Sequence, residues 1–302
     1  MAGSADSLKT IFYALGANFA IFVAKAVAAV VTGSGAMLAE AVHSLADCGN
    51  QVLLLLGVKR SKLPPTPDFP LGRGKEVYFW SFLVAVLLFT VGGAYSLYEG
   101  LHKLAHPEAL RSPWIAVGVL VFGMIAEGVS LRACISEVNK VRDGRSFWQW
   151  FRESRKAELV VIFGEDLAAL LGLTFALLAV LACIVTGNPI YDAIGTLGIG
   201  VLLIVVAIFV AIEVKALLIG QSIDADERAQ IRELIAAQPE IAEVFNVITL
   251  QLGEDELLAV KARLHECHST QATVDAINRV EKEIRTAFPS VRWCFFEPDD
   301  HN

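Results

Sequence analysis

Long apolar runs separated by short polar segments fill the first two thirds of the chain. A helix needs about 20 apolar residues to cross a bilayer. Runs of that order lie at 11–31, 36–58, 78–97, 114–135, 159–185 and 190–218. The links Thr32-Gly33-Ser34-Gly35 and Thr186-Gly187-Asn188-Pro189 carry no charge and read as tight turns. No charged leader with a small-residue cleavage site precedes the first run, so it is expected to be a mature helix rather than a signal peptide.

From Asp226 the pattern changes. Residues 226–238 have helical spacing, with apolar Ile231, Leu234 and Ile235, and Pro239 stops them. Residues 244–252 and 257–264 alternate and are rich in β-branched residues, which predicts two strands joined by a Gly253-Glu254-Asp255 turn. Residues 270–288 repeat apolar positions at Val274, Ile277, Val280 and Ile284, a second amphipathic helix, and 291–297 close as a strand. The order αββαβ predicts a small open sheet covered by two helices on one face. The fold class is therefore membrane α-helical, with six transmembrane helices (1–220) followed by a small α+β domain (221–302).

Composition agrees with a bilayer protein. Hydrophobic residues make up 55% of the 302 and charged ones 19%, against about 25% charged in soluble domains. An ordinary soluble enzyme is thereby excluded. Five cysteines, scattered and without a CxxC, exclude a disulfide scaffold. From Gln221 onward eight Lys/Arg face sixteen Asp/Glu, and an acidic tail of this kind repels nucleic acid. Basic residues in the links are one-sided. Lys59, Arg60, Lys62, Arg73 and Lys75 follow the second run, and Lys140, Arg142, Arg145, Arg152, Arg155 and Lys156 follow the fourth, whereas the opposite side has only Lys103 and Arg111. The positive-inside rule then sets both termini in the cytoplasm, with a plasma membrane, or bacterial inner membrane, as the default location.

Ionisable residues within the runs each cost roughly 2.5–3.5 kcal/mol on insertion scales and so ask for a reason. Glu40, His43, Asp47 and Asn50 are spaced three, four and three apart, one stripe of a helix with about 3.6 residues per turn. His43 and Asp47 stand one turn apart and suit a divalent ion such as zinc. Glu165 and Asp166 lie in the middle of the fifth run, and two adjacent acids in hydrocarbon call for a cation. At about 1.5 Å rise per residue both clusters sit roughly 12–14 Å deep, near the midplane of a core about 30 Å thick. Glu127 and Arg132 are read as structural or gating charges. Lys25 and Asn18 are expected to snorkel or to hydrogen-bond across helices. Asp192 is expected to cap the sixth helix or to draw cations to the outer mouth.

These residues resemble a cation diffusion facilitator. The stretch runs from Thr32-Gly33-Ser34 through Leu38-Ala39-Glu40-Ala41-Val42-His43-Ser44-Leu45-Ala46-Asp47 to Pro70-Leu71-Gly72-Arg73-Gly74-Lys75-Glu76. The similarity is greatest to the zinc-transporter-nine-like branch, in Asn50-Gln51, in Tyr78-Phe79-Trp80-Ser81-Phe82, in Gly92-Gly93 and in the Glu165-Asp166 pair. It implies a homodimeric exchanger of divalent cations for protons, not an enzyme, with a ferredoxin-like cytoplasmic domain and no cofactor other than the transported ion. Most of the family has a His or Asp four residues before the fifth-helix Asp. Here that position is Ile162, so the implied metal set is His43, Asp47 and Asp166 with Glu165 or water as fourth ligand. Glu165 is about 100° around the helix from Asp166, so contact by both requires unwinding or a rotated side chain.

Other family ligands are missing. Asp68-Phe69-Pro70-Leu71-Gly72-Arg73 lacks the histidines that bind a second ion, and Phe245, Lys261, Val274 and Phe295 stand near the tail's sensor positions. His265-Glu266-Cys267-His268 is read as a loop before a helix capped by Ser269 or Thr270, with a weak surface metal site as the alternative. Phe147, Trp148, Trp150 and Phe151 read as a membrane-surface anchor. The expected function is export of zinc from the cytoplasm by alternating access. Carriage of Mn(II), Fe(II) or Co(II), and a non-transporting membrane metal sensor or scaffold, are the alternatives.

Overall fold

The computed structural model describes residues 2–142, 144–266 and 269–301. Its first two thirds are helical: α1 (Ala2–Thr32), α2 (Gly35–Ser61), α3 (Glu76–Leu87), a π-helical segment (Leu88–Ala94), α4 (Tyr95–Ala105), α5 (Pro113–Val141), the short α6 (Phe147–Glu153), α7 (Ala157–Thr186) and α8 (Ile190–Ile219). Among the described residues, five of these stretches are long and apolar enough to cross a bilayer: α2, the continuous Glu76–Ala105, α5, α7 and α8. Within the described part of α1, Asn18–Thr32 is a shorter apolar stretch. Hydropathy under-reads the third span, which runs to Ala105 rather than 97. Its last turns carry Glu99, His102 and Lys103, which continue the helix past the apolar region.

The chain packs as two compact units. Met1–Leu56, Trp80–Trp150 and Glu158–Val214 form one, and Gly57–Phe79, Phe151–Ala157 and Lys215–Asn302 form the other. All six spans contribute to the core of the first, through Ala28, Met37, Leu88, Leu120, Leu173 and Ile199 among others. Small residues let the helices approach closely. A Cβ at Gly93 would lie 2.6 Å from Ile204 Cγ1, and one at Gly200 would lie 2.8 Å from the backbone N of Leu97. Gly93 therefore serves contact between the third span and α8 within this chain.

Two polar residues occupy places their sequence neighbourhood conceals. Asp192 does not cap its own helix. It accepts from Ser34 Oγ (2.5 Å), Gly35 N (2.6 Å) and Ala36 N (3.3 Å), and so caps α2 from across the bundle. Lys103 pairs with it at 3.6 Å and donates to the carbonyl of Gly33. In α6 the aromatic residues divide. Trp150 and Phe151 are buried, Phe147 and Trp150 pack on Phe163, and Trp148 alone of the four is strongly exposed while touching Phe209. The expected surface anchor thus reduces to Trp148, because a seven-residue helix has one outward face.

In the second unit α9 (Ala225–Ala236), β1 (Ile241–Leu252), β2 (Asp255–Leu264), α10 (Thr270–Ala287) and β3 (Val291–Pro298) reproduce the predicted αββαβ order. Asp224 and Ser269 cap the two helices. The strand order is β1-β2-β3, with β1 antiparallel and β3 parallel to β2. Helix α10 is the crossover that a parallel pair requires. Ile231 and Ile235 of α9 and Val280 and Ile284 of α10 pack on Val244, Leu258, Val260 and Cys294. Two bulges in β1 break its alternation, which is why the pattern marks the strand from 244 instead of Ile241. The opposite face carries the row Ile248, Ala259 and Phe295, directly paired across the three strands. Ile248 and Phe295 are more than half exposed. The Tyr78 hydroxyl accepts from Gly253 N at 2.8 Å and fastens the start of α3 to the β1–β2 turn.

Candidate metal centre

One face of α2 is lined with polar side chains that the bundle buries. Glu40, His43 and Asn50 have no exposed surface, and Asp47 retains little. Helical periodicity alone aligns them, and their neighbours Ala36, Met37, Ala39 and Ala41 seal the surroundings. His43 Nδ1 stands 3.6 Å from Asp47 Oδ1. Both imidazole nitrogens, Asp47 Oδ1 and Asn50 Oδ1 are buried without a hydrogen-bond partner. Orphaned polar atoms of this kind are costly and uncommon, and four along one stripe of α2 make it the candidate ligand site.

The fifth-run carboxylates part company. Glu165, on α7, is buried and accepts from the Asn50 side-chain amide. Asp166 turns to α5, where the Ser130 hydroxyl donates to both of its oxygens at 3.2 and 3.3 Å. Consecutive helical residues differ by about 100°, so only one of the pair meets α2, and in this structure it is Glu165. Asp47 lies in the fields of Glu165, Glu127 and Glu40, and Glu165 in that of Asp166. His43 and Asp47 thus stand side by side on α2, Asn50 of the same stripe holds Glu165, and Asp166 is held by α5. Among the described residues no three His, Cys, Asp or Glu converge closely enough to hold an ion at once. Of the loop reading at 265–268, Cys267 and His268 lie outside the described residues, and the backbone N–H of His265 donates to Glu240 O at 2.9 Å.

Three participants escaped the sequence reading. Asn50 stands on the stripe by its spacing, but nothing in the sequence marks it as the donor to Glu165. Ser130, one turn after Glu127, is an ordinary hydroxyl in an apolar run and gives no signal by itself. The π segment leaves only the trace Thr90-Val91-Gly92-Gly93. There Thr90 Oγ1 donates to Val86 O and Ser96 Oγ to Gly92 O, both i to i−4 bonds. A π turn accommodates an extra residue and is frequent at functional sites. Here it brings Gly92 to His43, since a Cβ at Gly92 would lie 4.0 Å from Nδ1. Of the two expectations for Lys25, bonding across helices rather than snorkelling is what the structure shows. Lys25 is wholly buried and bonds across to α2.

Chemically, a neutral imidazole and two carboxylates inside an apolar bundle can replace the water around a divalent cation. Comparison with known proteins points the same way. Residues 11–219 match the family model described as cation efflux transmembrane domain. The chain is 36% identical over 247 residues to the proton-coupled zinc antiporter SLC30A9, mitochondrial, of Xenopus laevis, covering 81% of this chain and 44% of that protein. It is 35% identical over 231 residues to its Homo sapiens counterpart, with 76% and 41% covered. Metal tolerance protein C4 of Arabidopsis thaliana is 32% identical over 231 residues, with 76% and 50% covered. The chain therefore spans half or less of the length of these relatives.

Proposed function

The chain belongs to the cation efflux family, and from that premise we propose that it is a transporter, not an enzyme, which exchanges a divalent cation, zinc first, for protons. The observation that carries the reading is the buried His43–Asp47 pair, its nitrogens and Oδ1 unpartnered, on the same stripe as Asn50, which bonds Glu165 of α7. His43, Asp47 and Glu165 receive the ion. Asp166, one residue further on, joins them when α7 rotates or its Ser130 bonds break. Coordination requires neutral imidazole and ionised carboxylates, so loading the ion releases protons and reloading protons displaces it. The names of the vertebrate relatives, proton-coupled zinc antiporter, support this direction of coupling.

A site with one His and carboxylates is harder than one with two His and leans toward Mn(II) and Fe(II), whereas His43 favours zinc. Competition among Zn, Co, Mn and Fe ions for the purified protein ranks them. In the test of transport, liposomes with an acidic lumen accumulate zinc when they carry the protein. His43→Ala and Asp47→Ala each abolish the uptake, and uptake that survives both changes overturns the assignment.

The protein is proposed to act as a homodimer. Support comes from the uncovered sheet face with Ile248, Ala259 and Phe295 in one row. Ile248→Asp is expected to convert dimers to monomers in light scattering of the detergent-solubilised protein. Both termini are placed on the side of the Lys/Arg-rich links. The membrane is proposed to be the plasma or bacterial inner membrane. The vertebrate relatives' names place those proteins in mitochondria, and fractionation distinguishes the two.

A further inference from the structure

A wholly buried ammonium stands beside the proposed ion site. Lys25 Nζ, from α1, lies 3.0 Å from Glu40 Oε2 and donates to Ser44 Oγ at 2.8 Å, with no exposed surface on either charged side chain. Stability does not explain it. Removing two charges from water costs about as much as their attraction returns, and apolar residues of similar shape commonly do as well. The surroundings are shaped for a cation. Glu40 Oε1 is buried without a hydrogen-bond partner. Gly123 of α5 packs beside the lysine stem, and a Cβ there would make ordinary contact with Lys25 Cε at 3.5 Å. Glu127, one turn after Gly123, acts electrostatically on both Glu40 and Lys25. The donors are all oxygen, a carboxylate and a hydroxyl with a second carboxylate in range, which is the chemistry of a hard cation.

We propose that Glu40 and Ser44 form a second cation position, one turn of α2 from His43, which Lys25 fills as a tethered cation. Its relation to transport rests on His43 and Asp47 being the cargo ligands; its existence does not. With the ammonium seated there, Glu40 takes no part in cargo binding, and the bundle carries one divalent ion per chain. Without the lysine the position accepts a free ion.

The test counts ions. Purified wild type, Lys25→Met and Lys25→Met/Glu40→Gln are saturated with zinc, and bound Mn(II) is then counted by electron paramagnetic resonance. The expected result is one additional Mn(II) per chain in Lys25→Met, absent in wild type and absent in the double variant. No additional Mn(II) in a folded Lys25→Met, or Mn(II) that persists in the double variant, overturns the proposal. If Lys25→Met does not fold, the double variant decides. Recovery of fold and of wild-type zinc affinity supports a carboxylate that needs a cation, and a double variant that also fails to fold marks the pair as a structural tie and overturns the proposal. Failure of wild type to bind zinc sinks the transport reading instead, and leaves the Mn(II) count of Lys25→Met still decisive here.

Discussion

At the scale of single residues, the question is which fifth-span carboxylate serves α2. Glu165 meets Asn50, while Asp166 is engaged by Ser130. Glu165→Gln is therefore expected to weaken zinc binding at least tenfold, about 1.4 kcal/mol by the usual conversion, and Asp166→Asn by less, as read by calorimetry on the purified protein. The reverse order would mean that α7 rotates before the ion is held. His43, Asp47 and the acidic pair were legible in the sequence because charge in an apolar run is conspicuous. The choice between Glu165 and Asp166 was not, because it depends on which neighbour supplies a donor. Asp192 misled for the same reason. Its position near the start of a helix suggests a local cap, but the free amides it satisfies belong to Gly35 and Ala36.

At the scale of elements, the spans follow from apolar length, and their number and order were readable at once. The break in the third was not. A π turn carries no periodic signature in seven residues, and its neighbours Gly92 and Gly93 serve equally well in a straight helix. The structure gives Gly93 a task that can be checked. Its missing side chain admits Ile204, and overpacking of this kind costs about 1–3 kcal/mol. Gly93→Val is expected to lower the thermal midpoint of the detergent-solubilised protein by several degrees. Gly118→Ala, with nothing within 4 Å of the added carbon, leaves it unchanged. The strands and helices of the second unit were predicted with errors only at the ends, where bulges in β1 interrupt the alternation that sequence reading depends on.

At the scale of the whole molecule, stability responds to pH through the acidic second unit. Glu256 is buried, its Oε2 lacks a hydrogen-bond partner, and burial with help from Glu227 pushes its carboxyl up to about 7. The folded chain thus holds this proton more tightly than the unfolded one. The gain is complete below the ordinary value of about 4.5 and is lost as pH rises through 7, each unit of difference being worth about 1.4 kcal/mol. Glu256→Gln is expected to raise the thermal midpoint at pH 8, with the advantage shrinking toward pH 5 and vanishing near 4.5. An equal advantage at both pH values would mean that ionisation of Glu256 is not the cause. The pairing of Lys25 with Glu40 also bears on how the molecule is made. Helix α2 is the least apolar of the five long spans. Joined to α1 through the short Gly33 turn, it enters lipid at lower cost as a hairpin in which Glu40 meets Lys25, since each charge alone is expensive in hydrocarbon.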